Sequence, residues 1–311
     1  MFDIKLLGSG QVYYKGKAIT GFPGQQHCLL FYYLLLNRQI PHTREQVAAV
    51  FWGDLPSSLA RKNLRNALWR LGEAFRLVGA SLDELITVQD DCIAFGNPDS
   101  YRLDIDEFEA ASRSNPDHSG QGLSLELVTR LESAVVLYRG DLLEGVYEDW
   151  CLFERERLRL AFVNILIRLM NHHAHTGSYE RGLEYGQRIL QLDPTRERVH
   201  RQMMMIHWLA GDREAALMQY RSCSEILRSE LDLQPVQETR HLYEMILRSS
   251  SAPDRRALGD PSKLESSATG PSNPPLKEIL QKLHLLESIV EQTNAELHLL
   301  KGLIHRSLEA E

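Results

Sequence analysis

Within residues 58–78 five cations, Arg61, Lys62, Arg65, Arg70 and Arg76, stand against one carboxylate, Glu73. Such a density on one short element suits a bed of phosphates. Arginine can fork onto guanine and asparagine onto adenine, which makes Arg61, Lys62, Arg65 and Asn66 the candidates for base edges. Arg70 and Arg76 fit phosphate oxygens, contacts that hold register without reading sequence. Trp69, turned away from the apolar side, either stacks on sugar or a thymine methyl or packs against a second domain. Thr43 and Arg44 open the preceding helix; they offer backbone N–H groups to a phosphate or form a plain cap.

Other chemistry is poorly provided for. Gly8-Ser-Gly10 and Gly16-Lys17 lack the Gly-x4-Gly-Lys-Ser/Thr pattern of a phosphate loop. No Cys or Ser sits in a recognisable activated setting, so enzyme activity is not expected. His172 and His175 lie one helical turn apart, but two imidazoles without a third ligand make a weak site. Cys28, Cys92, Cys151 and Cys223 are widely spaced, with no metal-ligand pattern, and read as small apolar residues. The expectation is no cofactor, no metal and no catalytic set.

The basic stretch needs a scaffold, and its own pattern begins one. Ala60, Leu64, Ala67, Leu68, Leu71, Phe75 and Val78 recur at helical spacing, which turns Lys62, Arg65, Asn66 and Trp69 outward. Upstream, Phe2, Ile4 and Leu6 alternate with polar residues. Val12-Tyr-Tyr and Lys15-Gly-Lys-Ala-Ile19 suggest a strand pair around a glycine turn. Residues 25–36, after Pro23, have the length and apolar density of a buried helix. Thr43-Arg-Glu-Gln46 is a capping-box pattern opening a short helix to about Trp52. Gly53-Asp-Leu-Pro-Ser57 connects it to the basic helix. Downstream, Leu85-Ile-Thr-Val-Gln89 and Cys92-Ile-Ala-Phe95 flank Asp90-Asp91 as a hairpin. A sheet, three helices and a hairpin is the order of a winged helix, whose third helix enters the major groove. The hairpin is unusual, because two carboxylates at its tip should be repelled by a minor groove.

This segment resembles the winged-helix domain of OmpR-type regulators in the version carried by the Streptomyces antibiotic regulatory proteins (SARPs). The resemblance rests on Trp52-Gly-Asp54 leading into Ala60-Arg61, Leu64-Arg65, Leu68 and Leu71. Further on, Gly177-Ser-Tyr-Glu-Arg-Gly182-Leu183 aligns with Gly211-Asp-Arg-Glu-Ala-Ala216-Leu217 at a separation of 34, the tetratricopeptide period. Leu192-Asp-Pro194 and Leu233-Gln-Pro235 close the two units. The region is also similar to the bacterial transcriptional activator domain of the same regulators, through Leu103-Asp-Ile-Asp-Glu-Phe-Glu, Tyr138-Arg-Gly-Asp-Leu-Leu-Glu-Gly, Asp149-Trp-Cys-Leu-Phe-Glu-Arg-Glu-Arg and Glu230-Leu-Asp-Leu-Gln-Pro-Val-Gln-Glu-Thr. Together these similarities span residues 2–248. They imply binding to promoter repeats and recruitment of RNA polymerase. Met203-Met-Met205 with Trp208 is either an adaptable binding surface or simply repeat core.

Residues 249–275 are rich in Ser, Pro and Gly and read as a tether. Beyond it Leu276, Leu283, Val290, Leu297 and Ile304 mark one seam of a heptad pattern; Ile279, Leu286, Thr293, Leu300 and Ser307 mark the other. Lys282 with Glu287 and Glu296 with Lys301 would pair across a parallel dimer, so the tail is expected to self-associate.

The organisation expected is mainly α: a winged helix at 1–98, a tetratricopeptide-like domain at 101–248, a linker at 249–275 and a coiled coil at 276–308. Overall the 311 residues carry a net charge of −7. The acidity is uneven: residues 1–100 hold 10 Lys/Arg against 9 Asp/Glu, whereas 101–250 hold 18 against 24. Attraction to polyanions should therefore be local. No run is long enough to cross a bilayer, and no export leader is recognised, so the cytoplasm is expected. The expected partners are double-stranded DNA, RNA polymerase and a second copy of the chain, with no membrane. The alternative is a repeat-protein adaptor whose winged helix binds no DNA.

Overall fold

The computed structural model describes residues 1–20, 24–89, 91–96, 98–114 and 123–249. The tether beyond Ser249 and the heptad tail lie outside the described residues. The described chain up to Ser249 belongs to one compact unit.

Strands β1 (Phe2–Lys5), β2 (Gln11–Tyr14) and β3 (Lys17–Ala18) form an antiparallel meander. Its Lys15-Gly16 turn has both φ angles positive, 48° and 79°, as a two-residue hairpin requires. Alternation sends Phe2, Ile4, Val12 and Tyr14 into the core. Three helices follow: α1 (Gln25–Leu36), α2 (Arg44–Trp52) and α3 (Ser57–Arg76). Phe75 of α3 meets Phe2 and Phe31, with ring centroids 5.7 and 5.6 Å apart, so sheet, α1 and α3 share one apolar centre. Two strands the sequence pattern did not announce complete this region. Before α2 lies β4 (His42–Thr43), which pairs with the far arm of the hairpin formed by β5 (Ile86–Gln89) and β6 (Cys92–Phe95). After the hairpin, β7 (Tyr101–Leu103) runs parallel to β1, where composition alone suggested the onset of helix. Both strands are too short to carry a periodic signal; long-range pairing makes them strands.

Among the described residues seven helices then stack: α4 (Asp104–Ser112), α5 (Leu125–Leu137), α6 (Asp149–Thr176), α7 (Tyr179–Leu192), α8 (Glu197–Leu209), α9 (Arg213–Leu231) and α10 (Gln237–Arg248). The aligned motif falls at the turns between α6 and α7 and between α8 and α9. Gly177 ends α6 in the left-handed region at φ 77°, and Gly211 repeats this at 88°. Gly182 lies where α7 crosses α6, and a Cβ there would come within 3.3 Å of the Met170 carbonyl oxygen. Its counterpart Ala216 is completely buried. Met203, Met204 and Trp208 are core side chains, so the repeat-core reading of that cluster holds. One hydrophobic cluster runs from Phe2 through to Ile206, joining the sheet, α1, α3 and the first helical pairs.

Candidate nucleic-acid interface

The reading helix is held from behind. Ala60, Leu64, Ala67, Leu71, Ala74 and Phe75 form its buried face, while Leu68 and Val78 are half-covered at the margin. Arg61, Lys62, Arg65, Asn66, Trp69, Arg70 and Arg76 are all exposed. Lys62, Trp69 and Arg76 are seven residues apart and drift only about 20° around the axis per step, so they form one outward line flanked by Arg65 and Asn66. Trp69 is 64% exposed. Beside it lies a cleft of about 250 Å³ between α3 and the hairpin, bordered by Leu68, Gly72, Leu82, Ile86 and Val88.

The cations differ in how they are held. Arg61 lies 3.7 Å from Glu45 of α2, an exposed pair of little strength. Arg76 pairs with Glu73, one turn back on its own helix. Among the described residues no ion pair engages Lys62, Arg65 or Arg70. Arg70 faces the start of α1, where burial and then its charge hold the His27 imidazole below its usual pKa.

The approach to α3 is built from local rules. Gly53 ends α2, and a Cβ there would stand 2.7 Å from the Ala49 carbonyl oxygen, so only glycine fits without a shift. Thr43 and Gln46 form the reciprocal cap their spacing promised. The Gln46 amide donates to Thr43 Oγ1 at 3.2 Å, and the Thr43 amide donates to Gln46 Oε1 at 2.9 Å. The Arg44 amide donates to the Asp91 carbonyl at 2.8 Å. The free-amide reading of Thr43 and Arg44 is therefore corrected. Thr43 is a plain cap, and these amides already have protein partners. What remains available is the Arg44 guanidinium, whose Nε is buried without a partner. The Asp91 bond also ties the hairpin tip to α2, a tether visible only once β4 is known. Gln89 opposes Cys92 in register at the end of the hairpin, while Asp90 of the expected Asp90-Asp91 tip lies outside the described residues.

The histidines do not assemble a site. His173 is buried and stacked on Tyr185 at 5.7 Å, with Nε2 3.7 Å from Glu132. His175 bonds the Asn171 carbonyl on its own helix. Among the described residues no group of three metal-ligating side chains occurs, and no helix is long and apolar enough to cross a membrane.

A small sheet, a three-helix cluster with an exposed cationic third helix, and a paired hairpin define a winged-helix DNA-binding protein. Comparison with known proteins agrees. Residues 103–247 match the family model of the bacterial transcriptional activator domain. The transcriptional regulatory protein MoaR1 of Mycobacterium bovis (strain BCG / Pasteur 1173P2) is 24% identical over 256 residues, 79% of each chain. The transcriptional regulatory protein EmbR of Mycobacterium bovis (strain ATCC BAA-935 / AF2122/97) is 25% identical over 263 residues, covering 79% of this chain and 63% of EmbR. The solved structure of Mycobacterium tuberculosis EmbR, in complex with a low-affinity phosphopeptide, shares the fold. Its TM-score is 0.60 at 20% identity, over 79% of this chain and 65% of that one. The chain thus carries a bacterial transcriptional activator domain and is similar to SARP-type regulators, findings that support a DNA-binding transcriptional activator.

Proposed function

We propose that α3 enters the major groove and reads base edges with Arg61, Lys62, Arg65 and Asn66. Arg70 and Arg76 grip phosphates, and Trp69 lies on sugar or a thymine methyl. The Arg44 side chain, with Thr43 capping its helix, adds a phosphate contact at the start of α2. The observation that carries this reading is the outward cationic line of α3, propped by a fully apolar rear face. In the cytoplasm the protein would bind repeated promoter sites, pair through its heptad tail and engage RNA polymerase with the helical half. It would act by binding rather than turnover. The winged helix would occupy 1–98, the activator domain 101–248, the linker 249–275 and the oligomerising helix 276–308.

Selection of bound fragments from genomic DNA, followed by titration of the recovered site at several salt concentrations, tests the proposal. The expected result is a recurring motif bound far more tightly than random DNA, with affinity falling steeply as salt rises. Recovery of no motif, with no retention on heparin, would sink it.

A further inference from the structure

The reading helix is useful only if its direction relative to the rest of the molecule is fixed. The strongest candidates for fixing it lie at the seam between the sheet and the helical stack. Asp104, the first residue of α4, is 5% exposed. Its Oδ1 accepts the Leu6 amide at 2.9 Å and its Oδ2 accepts the Leu7 amide at 3.0 Å, just beyond β1. Arg139 stands 3.8 Å from the same carboxylate. The loop after α5 closes on the same strip of backbone. The Gly8 amide donates to the Asp141 carbonyl at 3.0 Å, Leu143 to Leu6 at 2.9 Å, and Glu144 to Gly8 at 3.0 Å. Arg155 of α6 holds that loop from its other side, donating to the carbonyls of Leu142, Leu143 and Val146 at 2.6–2.8 Å.

One detail separates this from ordinary packing. Leu143 sits at φ 47°, a left-handed conformation that branched apolar residues rarely adopt. It is 1% exposed and bonded on both sides. A strained residue persists where its surroundings over-determine it, and such positions concentrate where geometry matters to function. Gly10 shows how close the approach is, since a Cβ there would lie 2.7 Å from Leu143 Cδ2 and 2.8 Å from the Tyr32 hydroxyl.

We propose that Asp104 and the Arg155-held loop 139–146 are a rigid mount that fixes α3 relative to the activator half, making Asp104 and Arg155 positioning residues for DNA-site spacing. This rests on the reading of α3 as the DNA contact. In a protein with two reading helices, a rigid mount lets both engage only where two sites lie at the right separation and on the right face of the duplex. A loosened mount would keep each helix competent but lose that discrimination.

The test uses the full chain and two variants. Asp104→Asn keeps the shape but turns an N–H donor toward a backbone N–H donor. Arg155→Lys removes the fork that spans three carbonyls. The first readout needs no DNA: spin labels introduced through unnatural amino acids at Lys62 and His241 report the distance distribution between α3 and α10. The expected result is a narrow distribution in the parent and a broadened one in both variants, with helical content retained. An unchanged width in both overturns the mount, as does a broad parent distribution. The second readout is affinity for DNA carrying one or two copies of the selected site, the pair at the preferred spacing or lengthened by half a helical turn, about 5 base pairs. In the parent the longer spacing should weaken two-site binding at least ~10-fold. In the variants single-site affinity should stay within about twofold, while that penalty shrinks below ~3-fold. A full penalty in the variants, or none in the parent, also overturns it. Should the parent bind no selected fragment, the DNA-reading proposal is what has failed, and the distance distributions still decide the mount.

Discussion

Arg65 and Arg70 look alike in the sequence, as exposed arginines on one helix, yet they stand on different sides of it. Arg65 flanks the outward line near the N-terminal half of α3, the part of a recognition helix that reaches base edges, whereas Arg70 turns toward α1. Arg65→Ala should therefore lower affinity for the selected site by about 1–3 kcal/mol while scarcely changing random-sequence binding. Arg70→Ala should weaken both equally and reduce the slope of log affinity against log salt by about one. Equal losses on both DNAs for Arg65→Ala would demote it to a phosphate contact. Buried histidines supply a second residue-level prediction, this time for stability. His200 is 1% exposed; its Nε2–H donates to the Pro194 carbonyl at 2.9 Å, and its Nδ1 faces the Gln219 amide nitrogen at 2.6 Å. That arrangement suits the neutral ring, and burial holds its pKa below the usual value. Burial does the same to His172, His173 and His207. A lowered folded pKa means that the stability these groups contribute is complete above about pH 6.5, the unfolded value, and is lost as pH falls toward the folded one. Burial raises the Asp104 pKa, so its contribution runs the other way, declining as pH rises through the folded value. The melting temperature should drop between pH 7 and pH 5, and less so in His200→Gln; an identical pH dependence in that variant would remove His200 from the account.

At the scale of elements, the wing and the helix pairs obey different constraints. Asp91 puts a carboxylate at the wing, but its backbone carbonyl is also what receives the Arg44 amide, and a side-chain change leaves that bond in place. Asp91→Lys should raise random-sequence affinity and steepen its salt dependence without lowering the melting temperature; unchanged affinity would mean that the tip stays clear of the duplex. Gly182 marks the opposite situation, where no side chain fits. Gly182→Val would press a branched carbon against the Met170 carbonyl and should cost about 1–3 kcal/mol in urea unfolding, whereas Ala216→Gly, at the equivalent slot, removes only a methyl group. Much of this was legible in the chain because it is local. The capping box of Thr43 and Gln46, the span of α1, the two arms of the hairpin and the small-residue slots of the repeat all announce themselves within a few residues. What stayed hidden depends on partners far away in sequence. His42 and Thr43 become a strand only because Ile93 and Cys92 lie opposite them, and Tyr101 to Leu103 only because β1 runs alongside. The same holds for the site: the exposed face of α3 followed from periodicity, while the loss of the Arg44 amide to Asp91 followed from a bond between residues 47 apart in the sequence.

At the scale of the whole molecule, the difficulty is affinity. Lys62, Arg65 and Arg70, the cations of α3 without an ion pair among the described residues, and the locally neutral charge of residues 1–100 give one winged helix only modest hold on a duplex. A net charge of −7 repels the rest of the chain from it. Two linked reading helices resolve this, because the second binding step then occurs at an effective concentration set by the linker rather than by the protein's abundance. The heptad positions Leu276, Ile279, Leu283, Leu286, Val290, Leu297, Leu300 and Ile304 are the segment that would link them. The compact unit ends in α10, whose Leu242 and Ile246 are buried against Met204 and Trp208 of α8 and Ala216 of α9. Deleting residues 276–311 should therefore leave the melting temperature of the core unchanged and lower the mass measured by light scattering. Single-site DNA should then be bound as before, while two-site DNA is bound no more tightly than single-site DNA allows. A truncated chain that keeps its full mass would place the self-association elsewhere, on the described body itself. One that keeps its mass advantage only when bound to DNA would mean that the duplex, rather than the tail, brings the two copies together.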